Sequence, residues 1–439
     1  MITKQKLTRR SFIQSTVASA APFLLPARVW AADPPPSERI TIGCIGMGIQ
    51  NRGLTNGFLN KPEAQVIAVC EGDLNRRNAA KKTVEEFYTK RNDAQYRGCT
   101  AFHDFRDLLR RDDIDAVVIA TPDHWHAYIT VAAARAGKDI YCEKPMSHSI
   151  REARAMVNAV RANNRVFQTG SMQRSSKEFR TACDLVRHGV IGKIMRVDVA
   201  VGGPGKPCDL PAEAEETGLD WNMWLGPAPF RPYNSILSPR GVHNHFPLWR
   251  SYREYGGGMV TDWGAHHFDI AQWALGLDDS GPTEILPAAQ PNAESGVRYI
   301  CARDVEVTHQ AGNGVWFHGS GGKIYVNRGK FELWIDKTQK ASSPADCDAM
   351  TREYLAGSSF RLYESNDHQR DWLKCIRTRK RPICDVEIGA RTVTVCSLVN
   401  LAYYHGQPLK WDPVNEQFTH GTGKAEWLDT PHRDPWKIV

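Results

Sequence analysis

The sequence has no hydrophobic run long enough to cross a lipid bilayer. Spanning a bilayer needs roughly 18 to 20 mostly apolar residues, and Pro22 and Pro26 interrupt the best candidate. We therefore exclude a membrane-spanning protein. The chain also lacks C-x-x-C pairs and the cysteine spacings of metal fingers. Its 11 cysteines are expected to be mostly buried, reduced thiols, so neither a disulfide scaffold nor a structural zinc site is predicted.

A strong excess of charge is also missing from most of the chain. The 439 residues have a formal net charge of +7. The first 32 residues are basic and contain no acidic side chain, so the remainder is close to neutral. A nucleic-acid-binding surface is therefore not indicated. Because 41% of the residues are hydrophobic, the chain can bury a large core, and its length suggests two or three domains.

The N-terminal residues 1–32 have a pattern typical of an export signal. Thr8-Arg9-Arg10-Ser11-Phe12 precedes a modest apolar stretch, which ends at Val29-Trp30-Ala31-Ala32 with two small residues. The paired arginines resemble a twin-arginine signal, which carries folded proteins across the bacterial inner membrane. We expect cleavage near Ala31, a stiff proline-rich linker at 33–38 and a periplasmic or extracellular protein that is not membrane-bound after export. The alternative is a basic disordered tail.

A glycine-rich loop follows the first buried-strand pattern, Arg39–Ile45. Such a loop lets the backbone approach a pyrophosphate, whose charge is then held by the N-terminus of the next helix. The third position of the usual fingerprint is Asn51 rather than glycine, which weakens the motif when it is taken alone. The loop residues predicted to contact a dinucleotide are Gly46, Met47, Gly48, Gln50, Asn51 and Arg52.

An acidic residue, Glu71, ends the second strand pattern, Gln65–Cys70, about 20 residues past the glycine loop. A carboxylate at this position accepts hydrogen bonds from an adenosine ribose and repels a 2′-phosphate, so the sequence favours NAD. Arg76 and Arg77 follow closely and can hold such a phosphate if they turn inward, so NADP stays open. Glu71 as a helix-capping acid is the structural alternative.

Two further apolar runs end in polar residues. Asp115–Ala120 leads to Thr121 and Pro122, and Asp139–Cys142 leads to Glu143-Lys144-Pro145. Strand patterns that alternate with helical ones predict an α/β fold over 39–165, with a Rossmann-type, doubly wound parallel sheet whose strand ends face one crevice.

The second predicted domain covers 166–439. Strand patterns such as Lys193–Val201 are separated by glycine-rich turns, which predicts an α+β domain with an open, mostly antiparallel sheet. Two segments near the end, His368–Ile376 and Ile388–Tyr404, are predicted to be helices that pack back on the sheet.

Four short motifs occur together in one order. They are Gly46-x-Gly48, Ala120-Thr121-Pro122 with His124 and His126, Glu143-Lys144-Pro145, and Asp262-x-Gly264-x-His266-x-x-Asp269. With these motifs the sequence resembles the glucose-fructose oxidoreductase, inositol dehydrogenase and rhizopine-catabolism family (Gfo/Idh/MocA) from residue 40 almost to the end. The resemblance implies a dinucleotide-binding domain and a second domain whose sheet closes the substrate site and often mediates homo-oligomers. It also implies an NAD(P)-dependent sugar or cyclitol dehydrogenase.

Lys144 lies at the end of a strand, beside the expected place of a nicotinamide ring. An amine there can hydrogen-bond a substrate hydroxyl and stabilise developing alkoxide charge, whereas a Glu–Lys pair on a surface turn is the simpler interpretation. We predict that Lys144 is catalytic. Cofactor contacts are predicted for Thr121, Pro122, His124, His126, Glu143, Lys144 and Gln173. The H-x-H pair also allows a metal site, but with no third ligand nearby in sequence no metal is predicted.

The spacing of Asp262, His266 and Asp269 places all three along one face of a predicted helix. An imidazole flanked by carboxylates suits proton transfer, because a carboxylate can fix its tautomer. The resemblance implies that His266 is the acid/base, with Asp262 orienting it or contacting the substrate. A merely solvated polar face is the alternative.

Residues 221–252 mix aromatic side chains with hydrogen-bond donors. Aromatic faces suit the apolar C–H faces of sugar rings, whose hydroxyls need polar partners. Tyr233 and Tyr252 are therefore candidate substrate contacts, although aromatics that pack an irregular connection give the same pattern. Arg174, at the opening of the second domain, is a further candidate.

Export constrains the function, because free nicotinamide cofactor is scarce outside the cytoplasm. We expect a tightly held NAD, or NADP, that returns to its starting state in each cycle. The predicted activity is oxidoreduction of a carbohydrate or cyclitol. One alternative is an NAD-dependent glycosidase that works by transient C3 oxidation and elimination, and another is a non-catalytic sugar-binding or scaffold protein. The expected partner is a small sugar or glycoside, with homo-oligomers formed through the C-terminal sheet.

Overall fold

The computed structural model describes residues 38–92, 96–301 and 304–438. The predicted signal peptide, 1–32, and all of the predicted linker except residue 38 lie outside the described residues. No described helix is both long and apolar enough to cross a membrane. All 11 cysteines fall within these ranges. None of them is paired, and ten are buried.

The first sheet has six strands in the order β3-β2-β1-β4-β5-β6, and every neighbouring pair is parallel. Apart from the edge strand β3, its strands are almost wholly buried because helices cover both faces, which explains their continuous apolar runs. This order is that of a dinucleotide-binding fold and confirms the predicted Rossmann sheet. The strands are β1 (Ile40–Ile45), β2 (Ala64–Cys70), β3 (Thr100–Phe102), β4 (Ala116–Ile119), β5 (Asp139–Cys142) and β6 (Phe167–Thr169).

The helices of this domain connect successive strands. Between β1 and β4 the order of connection reverses, which opens a crevice at the carboxyl ends of the strands. The sheet continues to β6 and so extends past residue 165, the predicted end of the domain. The helices are α1 (Ile49–Leu59), α2 (Leu74–Asn92), α3 (Phe105–Leu109), α4 (Asp123–Arg135) and α5 (Ile150–Ala162).

The second sheet has ten strands, in the order β14-β13-β12-β11-β7-β10-β9-β8-β15-β16. Its pairs are antiparallel except β7 with β10, which confirms the predicted mostly antiparallel sheet. Its strands are β7 (Ile194–Ala200), β8 (Pro282–Leu286), β9 (Arg298–Cys301), β10 (Glu306–Gln310), β11 (Gly314–Gly319), β12 (Gly322–Asn327), β13 (Lys330–Ile335), β14 (Thr338–Ala341), β15 (Leu409–Asp412) and β16 (Gln417–Phe418).

Helices cover one face of this sheet and bury a large apolar cluster against it. The C-terminal helices also reach the first domain, where Trp372 packs edge-on against Phe58 and Tyr141. The remaining helices are α6 (Lys177–Arg187), α7 (Trp221–Leu225), α8 (Met259–Asp262), α9 (Gly264–Leu275), α10 (Cys347–Leu355), α11 (His368–Thr378) and α12 (Val386–His405).

Residues 202–258, here called the strap, connect β7 to α8. The strap is mostly irregular, yet it has its own buried aromatic cluster, which includes Trp221, Tyr233 and Tyr255. It also pairs with the first domain through the bridge between Asp73 and Leu219. The strap is therefore a packed element that lies beside the dinucleotide crevice.

Candidate active site

A cavity of about 510 Å³ lies between the strand ends of the first sheet, helices α8 and α9, and the strap. One end, here called the nucleotide end, contains Gly46, Gly48, Glu71 and Thr121. The other, called the substrate end, contains charged and aromatic side chains from both domains. They are Asp123, Glu143, Lys144, Arg250, Asp262, Trp263, His266 and Arg328.

The glycine loop forms the wall of the nucleotide end. Gly46 has a φ of +80°, and a Cβ there would lie 2.7 Å from Thr121 Cγ2, so only glycine fits. A Cβ on Gly48 would meet nothing within 4 Å, so the cavity is open on that side. Asn51, which replaces the third glycine, is buried and donates from Nδ2 to the Ile45 carbonyl. Its side chain ties the helix to the strand end instead of facing a ligand.

Glu71 lies at the end of β2, as the sequence predicts, and lines the cavity. Its two carboxylate oxygens accept hydrogen bonds from the backbone N–H groups of Met47, at 2.7 Å, and Asp73, at 3.1 Å. The Met47 side chain itself is buried in the core. Glu71 thus fixes the shape of the glycine loop and presents negative charge where a ribose is expected.

The arginines near Glu71 are occupied by protein groups. Arg77 donates to the Glu71 carbonyl at 2.6 Å. Arg76 donates to the carbonyls of Pro239 and Gly241 and to the Ser238 hydroxyl, all of which belong to the strap. Neither guanidinium is therefore positioned to bind a 2′-phosphate. The Glu71 carboxylate remains as the group that favours NAD over NADP.

Arg52, predicted to touch the cofactor, also contacts the strap. It donates to the His243 carbonyl and, at 3.2 Å, to Asn244 Oδ1. Arg52 and Arg76 therefore bind two points of the first domain to the same segment of the strap.

The two predicted histidines have different positions. His126 lines the cavity, and its ring nitrogens lie 2.7 Å from the Pro145 carbonyl and 2.9 Å from the Thr121 carbonyl. It therefore joins two strand-end loops, and burial lowers its pKa to about 4. His124 lies outside the cavity, 3.0 Å from the Trp224 carbonyl of the strap. Pro122 precedes α4 and lines the cavity.

Glu143 links the two ends of the cavity. Its Oε1 accepts a hydrogen bond from Gln50 Nε2 at 3.0 Å, so the helix after the glycine loop is tied to the strand end that carries Lys144. Burial raises the pKa of Glu143, although the charge of Lys144 and the Gln50 hydrogen bond oppose this effect. Nearby Asp123, which the sequence did not indicate, is buried. Burial and the negative charge of Asp262 raise its pKa well above the usual range.

Lys144 and Asp262 form the central ion pair. The Lys144 ammonium donates to Asp262 Oδ1 at 2.7 Å and to the Asp262 carbonyl at 2.8 Å. Burial alone would raise the pKa of Asp262, but the charges of Lys144 and Arg250 outweigh it and hold that pKa below its usual value. The amine is thus fixed in place by an ionised carboxylate. The Lys144–Pro145 peptide bond is cis.

His266 lies on the same wall of the cavity as Asp262. Its Nδ1 is buried and has no hydrogen-bond partner among the described residues. Burial, together with the positive charges of Lys144 and Arg328, lowers the pKa of His266 well below its usual value. The imidazole is therefore neutral near pH 7 and has a nitrogen able to accept a proton.

The structure corrects the predicted partners of His266. The expected single helix is broken at Trp263 into α8 and α9, and neither carboxylate bonds the imidazole. Asp262 pairs with Lys144 instead. Asp269 points into the protein, where it accepts hydrogen bonds from Arg174 and Thr392.

Several predicted contact residues do not line the cavity. Arg174 is fully buried and pairs with Asp269 and Asp278, which corrects its prediction as a substrate contact. Tyr233 and Tyr252 lie in the core of the strap, where aromatic side chains fill an irregular connection. Gln173 is buried outside the cavity, and neither of its amide atoms has a partner in the described part of the chain.

The sequence did not single out the two arginines of the substrate end as site residues, although Arg250 is one of the hydrogen-bond donors in the aromatic-rich segment 221–252. Arg250 lies in the strap with its Nε 3.6 Å from Asp262 Oδ2. Arg328 occupies the turn between β12 and β13, with its guanidinium 4.5 Å from the centre of the Trp263 ring. No motif surrounds either residue, and each reaches the cavity only through the fold.

Two family models match the chain. The model described as oxidoreductase family, NAD-binding Rossmann fold, covers residues 40–171. The model described as oxidoreductase family, C-terminal alpha/beta domain, covers residues 192–438. The chain belongs to the Gfo/Idh/MocA oxidoreductase family. Its first domain is an NAD-binding Rossmann fold.

The relatives of this Gfo/Idh/MocA protein include one named as a glycosyl hydrolase and one named as a dehydrogenase. Glycosyl hydrolase family 109 protein 2 of Shewanella sp. (strain ANA-3) is 28% identical over 209 residues, which are 44% of this chain and 45% of the relative. Inositol 2-dehydrogenase of Rubrobacter xylanophilus is 31% identical over 158 residues, 36% of this chain and 42% of the relative. The chain thus spans less than half the length of these curated relatives.

A solved structure shares the fold. The WlbA dehydrogenase of Bordetella pertussis, in complex with NADH and UDP-GlcNAcA, is 16% identical, with a TM-score of 0.60 over 85% of this chain and 98% of that one. At this identity the likeness concerns the fold alone.

The cavity of this Gfo/Idh/MocA protein fits NAD. The loop has open space at Gly48, Glu71 offers a carboxylate at the end of β2, and the buried Thr121 hydroxyl has no partner among the described residues. These are the groups that hold a pyrophosphate and a ribose in such folds. Within the described ranges, no group of three or more His, Cys, Asp and Glu side chains is arranged to hold a metal ion.

Proposed function

We propose that the protein is an exported, NAD-dependent oxidoreductase of a carbohydrate or cyclitol that retains and recycles its cofactor. One observation carries the proposal: the Lys144 ammonium is fixed by ionised Asp262 in the same cavity as neutral His266 and the glycine loop. This places a donor for alkoxide oxygen and a proton acceptor together at the substrate end.

Oxidation of a secondary alcohol removes a hydride from carbon and a proton from oxygen. Bound NAD supplies the hydride acceptor. Lys144 donates a hydrogen bond to the substrate oxygen and stabilises its developing negative charge. His266 accepts the hydroxyl proton at an imidazole nitrogen as the C=O bond forms. In the return direction His266 gives this proton back to the oxygen, so the protein's protonation state is restored.

Retention of the cofactor is supported by the strap. Arg52, Arg76 and Trp125, all of the first domain, donate hydrogen bonds to it at separate points around the nucleotide end. A cofactor under such a cover leaves only if these contacts open. Export itself rests on the Thr8-Arg9-Arg10-Ser11-Phe12 pattern, and a retained cofactor makes redox chemistry workable in a periplasmic or extracellular protein.

A second candidate is an NAD-dependent glycosidase, which the similarity to a glycosyl hydrolase family 109 protein favours. In this chemistry, oxidation at C3 acidifies the C2 proton, the C1 leaving group is expelled, water adds, and hydride returns to C3. The same residues suffice, with Lys144 on the C3 oxygen and His266 as a proton acceptor.

The proposed function is tested on protein purified without added cofactor. Sugars, cyclitols and glycosides are mixed with it while absorbance of bound NADH is followed near 340 nm. A single turnover of reduction by a sugar, reversed by a second sugar, supports the recycling oxidoreductase. Cleavage of a glycoside in D₂O with deuterium at C2 of the product supports the glycosidase. Sugar binding without reduction or cleavage would indicate a non-catalytic sugar-binding protein and contradict both.

Homo-oligomer formation through the C-terminal sheet is part of the proposal. The exposed Met195 and the partly exposed rings of Trp316 and Trp334, with Lys323 between those rings, support it. Light scattering on the wild type and on Met195→Glu tests it: the proposal expects a multimer that the substitution weakens, and a wild-type monomer contradicts it.

A further inference from the structure

Arg328 has an unusual place in the cavity. It lies at the tip of the two-residue turn between β12 and β13, where its guanidinium stacks on Trp263. The described residues provide no hydrogen bond or ion pair for this guanidinium. A planar cation held against an aromatic face keeps its N–H edges available for a partner. The fold therefore presents a preoriented donor group beside Asp262 and His266.

The carboxylates of the substrate end attract Arg328 but do not pair with it. Asp262 is the carboxylate that the surrounding cations keep ionised, and it is already paired with Lys144 at 2.7 Å. The pKa values of Asp123 and Glu143 are both raised, first of all by burial, which favours their neutral forms. His266 is neutral for the same reason.

Arg250 adds a second positive charge on the same cavity. Its guanidinium stacks on the Trp249 ring at 4.6 Å, donates to the Pro247 carbonyl and lies 3.6 Å from Asp262. With Lys144, three cations thus line the substrate end, and Arg328 is the one that has no carboxylate within ion-pair distance among the described residues. A neutral sugar would leave this guanidinium unpaired, whereas an anionic substrate would pair with it.

We propose that the substrate is an anionic sugar, and that its carboxylate binds the Arg328 guanidinium while the reacting hydroxyl lies at Lys144. This inference rests on the proposed function and specifies its substrate class. A single guanidinium edge matches one carboxylate in a bidentate pair, and one charge of −1 balances one free cation. A sugar phosphate shares the oxyanion chemistry but carries more charge, so it is a separate arm of the test.

The test compares each uronate with its neutral parent: glucuronate with glucose, galacturonate with galactose, and glucose 6-phosphate as the phosphate arm. The rate of reduction of bound NAD, followed at increasing sugar concentration, gives a second-order rate constant for each sugar. We expect the preferred uronate to exceed its neutral parent by about 10- to 100-fold, the range of a charge-assisted hydrogen-bonded pair. Arg328→Gln should lower that ratio by about tenfold or more. Lys330→Gln removes a positive charge from the same hairpin outside the cavity and should leave the ratio within about twofold of the wild type.

Three results would overturn the inference: a neutral sugar preferred by the wild type, a ratio that Arg328→Gln does not change, or a preference confined to the phosphate. Failure of the proposed function looks different, because no sugar of any charge then reduces NAD. Calorimetry decides the inference in that case. Glucuronate or galacturonate that binds wild type and the Lys330→Gln variant but binds Arg328→Gln more weakly supports it, and equal binding to all three contradicts it.

Discussion

The two ends of the cavity are built in different ways. The nucleotide end comes largely from one short stretch of chain, in which Glu71 fixes the loop of Gly46 and Met47 through a backbone hydrogen bond. The substrate end collects Lys144, Asp262 and Arg328 from three distant segments, and a side-chain ion pair joins two of them. Cofactor binding is thus encoded locally, whereas the chemistry and substrate choice depend on how the two domains meet.

The two ends also differ in how their polar and charged groups are stabilised. At the nucleotide end the carboxylate of Glu71 is satisfied by backbone N–H groups, so the loop is shaped before a ligand arrives. At the substrate end, burial and opposing charges control which groups are ionised, since the pKa of Asp262 is lowered while that of Asp123 is raised. Changes at the two ends should therefore affect different measured quantities.

The largest effect is expected for Lys144→Met. Removing the ammonium takes away stabilisation of the developing alkoxide, so the rate of hydride transfer should fall by about 1,000-fold, the upper range for one such donor. NAD content per chain should remain that of the wild type, because Lys144 is not part of the glycine loop. Rapid mixing at 340 nm and nucleotide analysis measure the two quantities, and Lys330→Met serves as the control. Parallel loss of rate and cofactor would contradict the separation of the two ends.

A smaller effect, on binding instead of rate, is expected for Glu71→Gln. The substitution keeps the size of the side chain but removes the charge that accepts ribose hydroxyls, and its amide NH2 cannot accept one of the two backbone N–H bonds from Met47 and Asp73. The Kd for NAD should therefore rise by about 10-fold or more. The rate of hydride transfer at saturating NAD should change little. Titration of protein fluorescence with NAD measures the Kd, with the exposed Glu86→Gln as the matched control. A variant with an unchanged Kd for NAD and a reduced rate of hydride transfer would contradict the assignment of Glu71 to cofactor binding.

The strap is tested by Arg52→Gln. Two contacts to His243 and Asn244 are lost, so bound nucleotide should dissociate several-fold faster, by up to about 10-fold for one or two exposed hydrogen bonds. Retention of nucleotide during timed dialysis measures this rate. Arg110→Gln changes an exposed arginine whose ion-pair partner is Asp107 and not a strap residue, so this variant should behave as wild type. Equal retention in both variants would show that the strap does not hold the cofactor.

The smallest effect is a shift in pH dependence. His266 must be neutral to accept a proton, and burial together with Lys144 and Arg328 lowers its pKa well below 6.5. Oxidation should therefore persist below pH 6.5 and fail only in more acidic solution. Arg328→Gln removes a positive charge that disfavours the imidazolium, so the pKa of His266 rises and the acid limb of kcat should move to higher pH by less than about one unit. A limb that moves to lower pH would contradict this role.

The sequence predicts the nucleotide end well because its determinants are neighbours in the chain. Gly46 and Glu71 follow buried strands, and the fold is confirmed by the sheet order. The motifs identified Lys144 and His266 as reactive groups, but they did not identify the partner of Asp262. The helix is interrupted at Trp263, and the Asp262 carboxylate binds Lys144, at the end of β5, instead of His266.

Residues outside motifs were harder to assign. Arginine often contacts ligands, but the guanidinium of Arg174 forms ion pairs with Asp269 and Asp278 inside the protein. Arg328 carries no local signal, since an arginine in a hairpin turn is usually solvated. Its role depends on Trp263, a residue 65 positions away, and such a pairing is visible only once the second domain is folded.

The most direct test of the central claim is mass spectrometry of nucleotide released by denaturing the protein, purified without added cofactor. The account predicts NAD at close to one equivalent per chain, with the Lys144→Met variant equally loaded. An empty protein that also fails to bind added NAD, or one loaded with NADP, would contradict it.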